Sequence, residues 1–224
     1  MPGVLPSLVG ASFADIASAL SFGASNLIGT MAGEALERVL KGRAERARAI
    51  FIEELKDGLR SPNDSGEIDE FVAVLYRYMR AAQEGAARLN LRLMARVIRS
   101  QIEHEGLYAS EFLRHAELIS SLSREEVILL ATRHRLRSEF DKAKQSENWT
   151  DTRDVNKQVE DGLIPTVFAT RLELNAAMTA LQRTGLIWPG AAAVSGGFVW
   201  QDTPLMDRIV KLAQFENVLE EEHD

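Results

Sequence analysis

The stretch that most constrains the fold is residues 67 to 104, where two helix-period patterns run side by side. One is an apolar stripe whose members recur at spacings of three, four or seven, namely Phe71, Leu75, Tyr78, Ala82, Leu89, Leu93 and Val97. These spacings place the residues on one face of a helix, so the stripe predicts burial against other helices. Gly85 interrupts the stretch, and glycine costs roughly 1 kcal/mol in a helix interior. The stretch is therefore either one helix of about 57 Å or two helices that meet at Gly85.

The second pattern is an arginine stripe, which also contains Glu84 and comprises Arg77, Arg80, Arg88, Arg92, Arg96 and Arg99. Like charges four residues apart on a helix repel one another, so something anionic must lie against them. The chain has 33 acidic residues, and carboxylates from other helices are the first explanation. Phosphates of nucleic acid or anionic lipid head groups are the second, and a partner protein is the third. The six arginines are thus the candidate site for an anion or a partner.

Composition narrows the class of protein. With 224 residues and 46% hydrophobic content the chain can bury a sizeable core. Its net charge of −7 means that a nucleic-acid site would have to be a local basic patch. It has no cysteine, which excludes disulfides, thiolate zinc sites, iron–sulfur clusters and a cysteine nucleophile. We expect a cytoplasmic location.

Residues 1 to 33 form a segment rich in Gly, Ala and Ser that lacks the basic region of a secretory signal. Its uncharged run from residue 16 to 33 is long enough to span a membrane, but serine, asparagine and threonine dilute its hydrophobicity. We predict a close-packed soluble helix here. A membrane-spanning helix and a frayed or membrane-surface terminus are the alternatives.

Residues 34 to 121 are expected to form a helical domain. Its first helix is expected to end at Gly58 and has a broad apolar stripe that includes Val39. The acidic and basic residues of this helix, Glu54 among them, are interpreted as a self-neutralised solvated face. A cluster of turn formers at residues 61 to 66 predicts a loop, Gly106 is expected to end the central stretch, and a short helix should follow through Ser120.

Residues 122 to 224 have a different pattern. A capping box at Ser123 and Glu126 starts a helix, and a polar segment at 138–161 is interpreted as an exposed connection or insertion. A helix is expected to open at Pro165 and to end at Gly185, followed by a β-hairpin near residues 186 to 201. Thr203 and Pro204 then restart a helix, with Thr203 as its cap. The core predicted for the whole chain includes Leu75, Leu89, Leu93, Val97, Leu130, Phe168, Leu181 and Leu186.

The order helix, interruption, helix and hairpin, with the phrase that ends in Gly185, Leu186 and Ile187, resembles a winged-helix module with an insertion. Preceded by a helical half, it is also similar to uncharacterised bacterial proteins of the abortive-infection alpha type. The resemblance implies a mainly α protein, with a helical N-terminal domain and a winged-helix-like C-terminal module that carries one small β-hairpin. In DNA-binding winged helices the third helix enters the major groove with basic or amide groups. Residues 173 to 184 offer few of them, and acidic residues outnumber basic ones from 123 to 224.

Sequence motifs for nucleotide binding, acyl transfer or zinc proteolysis are absent from the chain. Glu111 and His115, one helical turn apart, are interpreted as a surface pair rather than as metal ligands. We therefore expect no enzyme activity, cofactor, metal or small-molecule substrate. The leading hypothesis is a bacterial interaction or regulatory protein that contacts a partner protein or forms a homo-oligomer. The alternatives are a nucleic-acid-binding regulator that uses the arginine stripe and an amphitropic phage-defence protein whose N-terminus contacts membranes.

Overall fold

The computed structural model describes residues 30–55, 65–104, 106, 108–145, 152–190 and 199–221. The chain divides into two compact units, Met1–Ser121 and Leu122–Asp224. Within the described residues it contains nine α-helices and one two-stranded antiparallel sheet. The prediction of a mainly α protein with one small hairpin is confirmed. The prediction for the N-terminal segment concerns residues 1–29 above all, which lie outside the described ranges.

The described part of the first unit consists of four helices. They are α1 (Thr30–Glu54), α2 (Ser65–Glu84), α3 (Arg88–His104) and α4 (Ala109–Ser120). Helix α1 packs on α2 and α3, and α4 packs on the same two helices from elsewhere on their surfaces. Helices α2 and α3 therefore each contact all three other helices, which explains why the apolar stripe of residues 67 to 104 is buried throughout its length.

The central stretch is two helices, because Gly85 adopts a backbone φ of 103° that L-residues rarely reach. The backbone N–H of Gly85 donates to the carbonyl of Ala82, and that of Ala86 donates to the carbonyl of Ala81, which closes the end of α2. The Arg43 guanidinium on α1 donates to the carbonyl of Gln83 at 2.6 Å. A glycine and an arginine from another helix thus terminate α2 together.

Burial is most complete on α3, where every side chain from Leu89 to Ile98 is buried. Phe51 on α1 contacts Phe71 of α2 edge to face and Tyr78 of α2 at a tilt, with ring centroids 6.4 and 5.1 Å apart. The eight residues of the predicted core are all buried. Periodicity identified the six that lie on helices, whereas Phe168 lies just before the helix Arg171–Leu181 and Leu186 follows the 3-10 turn after it.

Two expectations for α1 are wrong. Val39, expected in the apolar stripe, is 50% exposed. Glu54 was placed on the solvated face, yet it is buried at the end of the helix. The expected end at Gly58 and most of the predicted loop at residues 61–66 lie outside the described residues.

The described part of the second unit contains five helices and the hairpin. In order, they are α5 (Arg124–Gln145), α6 (Thr152–Leu163), α7 (Arg171–Leu181) with a 3-10 turn at Gln182–Thr184, strands β1 (Ile187–Gly190) and β2 (Val199–Asp202), α8 (Pro204–Ala213) and α9 (Phe215–Glu221). The strands are antiparallel, with Ile187 opposite Asp202 and Gly190 opposite Val199. Helix α5 contacts α6, α7, α8 and α9 and is the centre of this unit.

The predicted helix boundaries at Ser123, Gly185 and Thr203 are confirmed by hydrogen bonds or backbone conformation. The Ser123 hydroxyl accepts from the backbone N–H of Glu126 at 3.2 Å, and the Glu126 carboxylate accepts from the N–H of Ser123 at 2.9 Å. Gly185 has a left-handed φ of 70°, and the Thr203 hydroxyl accepts from the N–H of Met206. Local side-chain chemistry was sufficient to place these ends.

Two expectations for the second unit are wrong. The segment at 138–161 is not an exposed connection for most of its length, since α5 runs through it to Gln145 and α6 begins at Thr152. Val155, Val159 and Leu163 are buried at spacings of four, a stripe too narrow to stand out among polar residues. The expected helix start at Pro165 is also wrong, because α7 begins at Arg171 after a turn and a Thr170 cap.

The order of helices and hairpin expected for a winged-helix-like module is present in the second unit, but likeness to that fold remains a prediction. Across the described ranges, no helix combines the length and the apolar character that crossing a membrane requires.

Candidate functional site

The arginine stripe is divided between two helices. Arg77 and Arg80 lie on α2, and Arg88, Arg92, Arg96 and Arg99 lie on α3. Because the chain turns at Gly85, the six guanidinium groups do not continue along one helix face. Three different environments result.

The α2 arginines share one carboxylate near the end of their own helix. Arg80 Nε donates to Glu84 Oε1 at 2.8 Å, and Arg77 Nη1 lies 3.7 Å from Glu84 Oε2. The Arg80 and Glu84 side chains are 56% and 54% exposed. The hydrogen bond with Glu84, and then its charge, raises the pKa of Arg80. This pair lies in solvent and can be exchanged for another contact at little cost.

The middle of α3 carries a buried ion cluster, defined here as Arg92, Arg96 and Glu54. Arg92 Nε donates to Glu54 Oε1 at 2.6 Å, and Arg96 Nε donates to Glu54 Oε2 at 2.7 Å. Their side chains are 8%, 9% and 6% exposed. Since the two arginines are one helical turn apart, both reach the single carboxylate at the end of α1. Compensation by a carboxylate from another helix, the first explanation for the stripe, thus holds for Arg92 and Arg96.

Two neighbours share the environment of the cluster. Arg99 Nη1 donates to the backbone carbonyl of Glu54 at 3.2 Å, while its Nε donates to Glu103 at 2.9 Å, so Arg99 binds the end of α1 from α3. The Tyr78 hydroxyl donates to the carbonyl of Ala47 at 3.0 Å. Burial, and then the nearby Glu54 carboxylate, raises the pKa of Tyr78 well above its usual range. Tyr78 is therefore a neutral donor across ordinary pH.

Arg88 differs from the other members of the stripe. It is exposed at the first position of α3 and forms no ion pair with another described residue. A ligand anion that approached the stripe would find Arg88 and Arg80 accessible, but Arg92 and Arg96 enclosed. The stripe supplies two well-exposed guanidinium groups rather than six.

A second buried ion cluster lies in the second unit and was missed from the sequence. Arg133 on α5 is 2% exposed and donates to Asp202 Oδ1 on β2 at 2.8 Å, to Asn156 Oδ1 on α6 at 3.0 Å and to the Trp200 carbonyl at 3.0 Å. Arg137 lies 3.6 Å from Asp202 at the exposed edge. The sequence offered one signal for it: Arg133 lies three residues after Leu130 and four after Leu129, so it falls on the buried face of the same helix.

His115 and His134 lie in different environments. His115 is 2% exposed, so its interpretation as a member of a surface pair with Glu111 is wrong. His134 Nδ1 lies 3.2 Å from Glu216 Oε1 in a half-buried pair between α5 and α9. Among the described residues, no group of three or more His, Cys, Asp or Glu side chains is arranged to hold a metal ion.

The segment expected to act as the third winged helix, α7 with its 3-10 turn, carries only two basic side chains, Arg171 and Arg183, and these are 74% and 48% exposed. Arg171 Nε lies 3.2 Å from Glu160, and Arg183 Nη1 lies 3.1 Å from Glu126. Exposed Leu172 and Glu173 follow Arg171 on the same helix. This surface does not present the cluster of free cations that a phosphate backbone favours.

Comparison of the chain with protein-family models, with curated proteins and with solved structures gave no match. Fold and site therefore define the protein as mainly α-helical, with an ion cluster buried in each of its two units. Function has to be argued from these residues, because a fold by itself does not determine one.

Proposed function

We propose that the chain is a non-enzymatic bacterial interaction protein that acts in the cytoplasm through protein contacts. The observation that carries the proposal is the enclosure of Arg92 and Arg96 against Glu54. The middle of the strongest basic pattern in the sequence therefore links α3 to α1, and Arg80 and Arg88 are the members of the stripe left well exposed to a ligand.

Charge supports this choice over nucleic-acid binding. A protein that binds the phosphate backbone does so with several accessible Lys or Arg side chains, each of which releases counterions. Here Arg92 and Arg96 are buried, Arg99 is engaged with α1, and the whole chain has a net charge of −7. Long-range attraction to a polyanion is therefore absent.

Exposed apolar side chains support protein contact. Tyr76, Tyr108, Leu172 and Trp188 are 41%, 55%, 78% and 65% exposed. Tyrosine and tryptophan are the residues that protein interfaces favour most strongly, because they bury a large area at a small entropy cost. Leu172 is not part of this argument, because single exposed apolar residues are normal on a protein surface.

A fluorescence titration with labelled duplex DNA at 50 and 200 mM salt tests the proposal. We expect no saturable binding at the higher salt. Flotation with vesicles of anionic lipid is run in parallel, with the full chain and with a chain that lacks residues 1–33. Binding to DNA or to anionic vesicles that falls steeply with salt, and that R80E/R88E abolishes without a change in melting temperature, would replace the proposal with the nucleic-acid or the membrane alternative.

The positive test is recovery of a protein ligand by affinity purification after nuclease treatment, followed by reconstitution from purified components. We expect a complex of fixed stoichiometry that persists at 200 mM salt. The exposed residue Arg88 provides the control, because R88E should leave a protein contact of this kind intact. A complex that disappears with nuclease, or that depends on Arg88, would contradict the proposal.

A further inference from the structure

Helix α2 presents an exposed stripe on the side opposite its buried face. Its members are Asp69, Val72, Ala73, Tyr76 and Arg80, at spacings of three and four. Val72 and Tyr76 are 39% and 41% exposed, and Ile68 at the edge of the stripe is 37% exposed. The same helix therefore carries one apolar face towards α1, α3 and α4 and a second, narrower one towards solvent.

The charges on this stripe are ordered along the helix. Asp69 lies in the amino-terminal half, the apolar residues lie in the middle, and Arg80 lies in the carboxyl-terminal half. Asp69 and Arg80 are equally far from the midpoint of the helix, which falls between Val74 and Leu75, and are about 16 Å apart along its axis. Ala73 and Tyr76 are also equally far from that midpoint, so a small residue mirrors a large one.

This order is self-complementary. If two copies of α2 lie antiparallel across a two-fold axis at the midpoint, Asp69 of each copy faces Arg80 of the other, and Tyr76 of each copy packs over Ala73 of the other. A two-fold interface requires a patch that matches itself in this way. An unrelated partner would place no such condition on the order of charges within one helix.

We propose that the exposed stripe of α2 is a homodimer interface in which two copies of the chain pair through antiparallel α2 helices. The proposal rests on the proposed function, since it names a second copy of this chain as one protein that the chain contacts. Arg80 changes partner from Glu84, whose pair with it is open to solvent, to Asp69 of the second copy. Asp69 is exposed and forms no ion pair with another described residue.

The size of the helix sets the expected affinity. Helix α2 has 20 residues and is about 30 Å long, so one antiparallel helix pair buries less than a standard protein interface of about 800 Å² per partner. We expect a dissociation constant in the micromolar range. Each copy has a net charge of −7, so two copies repel each other. The affinity should therefore be measured near physiological salt, where the screening length is about 8 Å.

Sedimentation velocity of the full chain from about 1 to 200 µM at 150 mM salt tests the interface. We expect a reversible monomer–dimer equilibrium for the wild type. V72E/Y76E should be monomeric throughout. L113E, at the 41% exposed Leu113 of α4, is the matched control and should dimerise like the wild type. Circular dichroism confirms that each variant keeps its helix content.

A charge exchange tests the antiparallel geometry. D69R and R80D alone should each weaken the dimer about tenfold or more, because each creates two like-charge contacts. The double variant D69R/R80D, and an equimolar mixture of the two single variants, should regain the wild-type affinity, since both restore two opposite-charge contacts. R88E, outside the stripe, should have no effect.

Three results would overturn the proposal: a wild type that is monomeric at 200 µM, a dimer that V72E/Y76E does not weaken, or a charge exchange that fails to restore affinity. Each would leave the proposed function standing, because contact with another protein does not depend on this stripe. Salt-sensitive binding to DNA or anionic vesicles would overturn the proposed function even for a chain that dimerises.

Discussion

Replacement of Glu54 by glutamine is the sharpest perturbation of the first unit. Glutamine keeps the shape of the side chain but removes the charge that pairs with Arg92 and Arg96, whose side chains are 8% and 9% exposed. Each arginine loses a charge-assisted hydrogen bond worth about 1.5 to 3 kcal/mol. Removal of one partner from a buried ion pair costs about 3 to 5 kcal/mol in proteins. We expect E54Q to lower the free energy of unfolding by about 3 to 5 kcal/mol.

Urea denaturation followed by circular dichroism measures this loss. With a slope of about 2 kcal/mol per molar, the midpoint of the first unit should fall by about 2 M. The matched control is E103Q, since Glu103 makes a similar bond to Arg99 with both side chains 30% exposed. An exposed pair is worth less than about 1 kcal/mol, so E103Q should shift the midpoint little.

A third variant separates the loss of charge pairing from the loss of packing. E54L/R92M/R96M replaces the whole cluster by apolar side chains, and such replacements are often neutral or stabilising. We expect its free energy of unfolding to lie within about 1 kcal/mol of the wild-type value or above it. An E54Q variant that loses less than 1 kcal/mol, or one no worse than E103Q, would refute the view that Glu54 compensates the stripe.

Three further changes test other parts of the structure. L93A removes a fully buried side chain of α3 and should cost about 2 to 5 kcal/mol in urea melts; a loss under 0.5 kcal/mol would show that the apolar stripe does not bear on the core. R133K keeps the charge, but a lysine cannot reach Asp202, Asn156 and Trp200 together, so the free energy of unfolding of the second unit should fall by about 3 kcal/mol. R137K, at the exposed edge, should lower it by less than about 1 kcal/mol, and equal losses would contradict the reasoning. The raised pKa of Tyr78 keeps its proton in the folded state, so the stability it contributes is complete below about pH 10 and falls as the unfolded chain ionises above that pH. Y78F should therefore flatten the alkaline loss of stability measured by urea melts from pH 9 to 11; a Y78F profile as steep as that of the wild type would count against it.

The apolar face of residues 67 to 104 could be predicted from the sequence because apolar residues at helical spacings lie on one side of a helix, which is the side that is buried. It left the break at Gly85 open, since a glycine costs too little to decide between a continuous helix and a turn. In the structure α2 ends before Gly85, and Arg43, which lies 40 residues away in the chain, donates to the carbonyl of Gln83 at that end. Contacts at such separation have no signature in a local pattern.

Glu54 shows why the arginine stripe could not be resolved from the sequence. It follows Ala47, Ile50 and Phe51 at helical spacings, so it lies in the register of the buried face, but it is surrounded in sequence by other charged residues. Charge alone favoured a solvated position, and register favoured a buried one. Arg133 presents the same conflict in the second unit, where register again decided the outcome.

The sequence combines apolar and basic side chains in the stretch of residues 67 to 104, and helices α2 and α3 use these two kinds of side chain differently. On α3, Arg92 and Arg96 are turned inward to one carboxylate, so basic side chains act as part of the core. On α2, Val72 and Tyr76 are turned outward between Asp69 and Arg80, so apolar side chains act as part of the surface. A buried charge must keep its partner to be tolerated, whereas an exposed apolar stripe gains free energy when another surface covers it. On this ground α3 carries the buried ion cluster of the first unit, and the proposed dimer assigns the contact with a second molecule to α2.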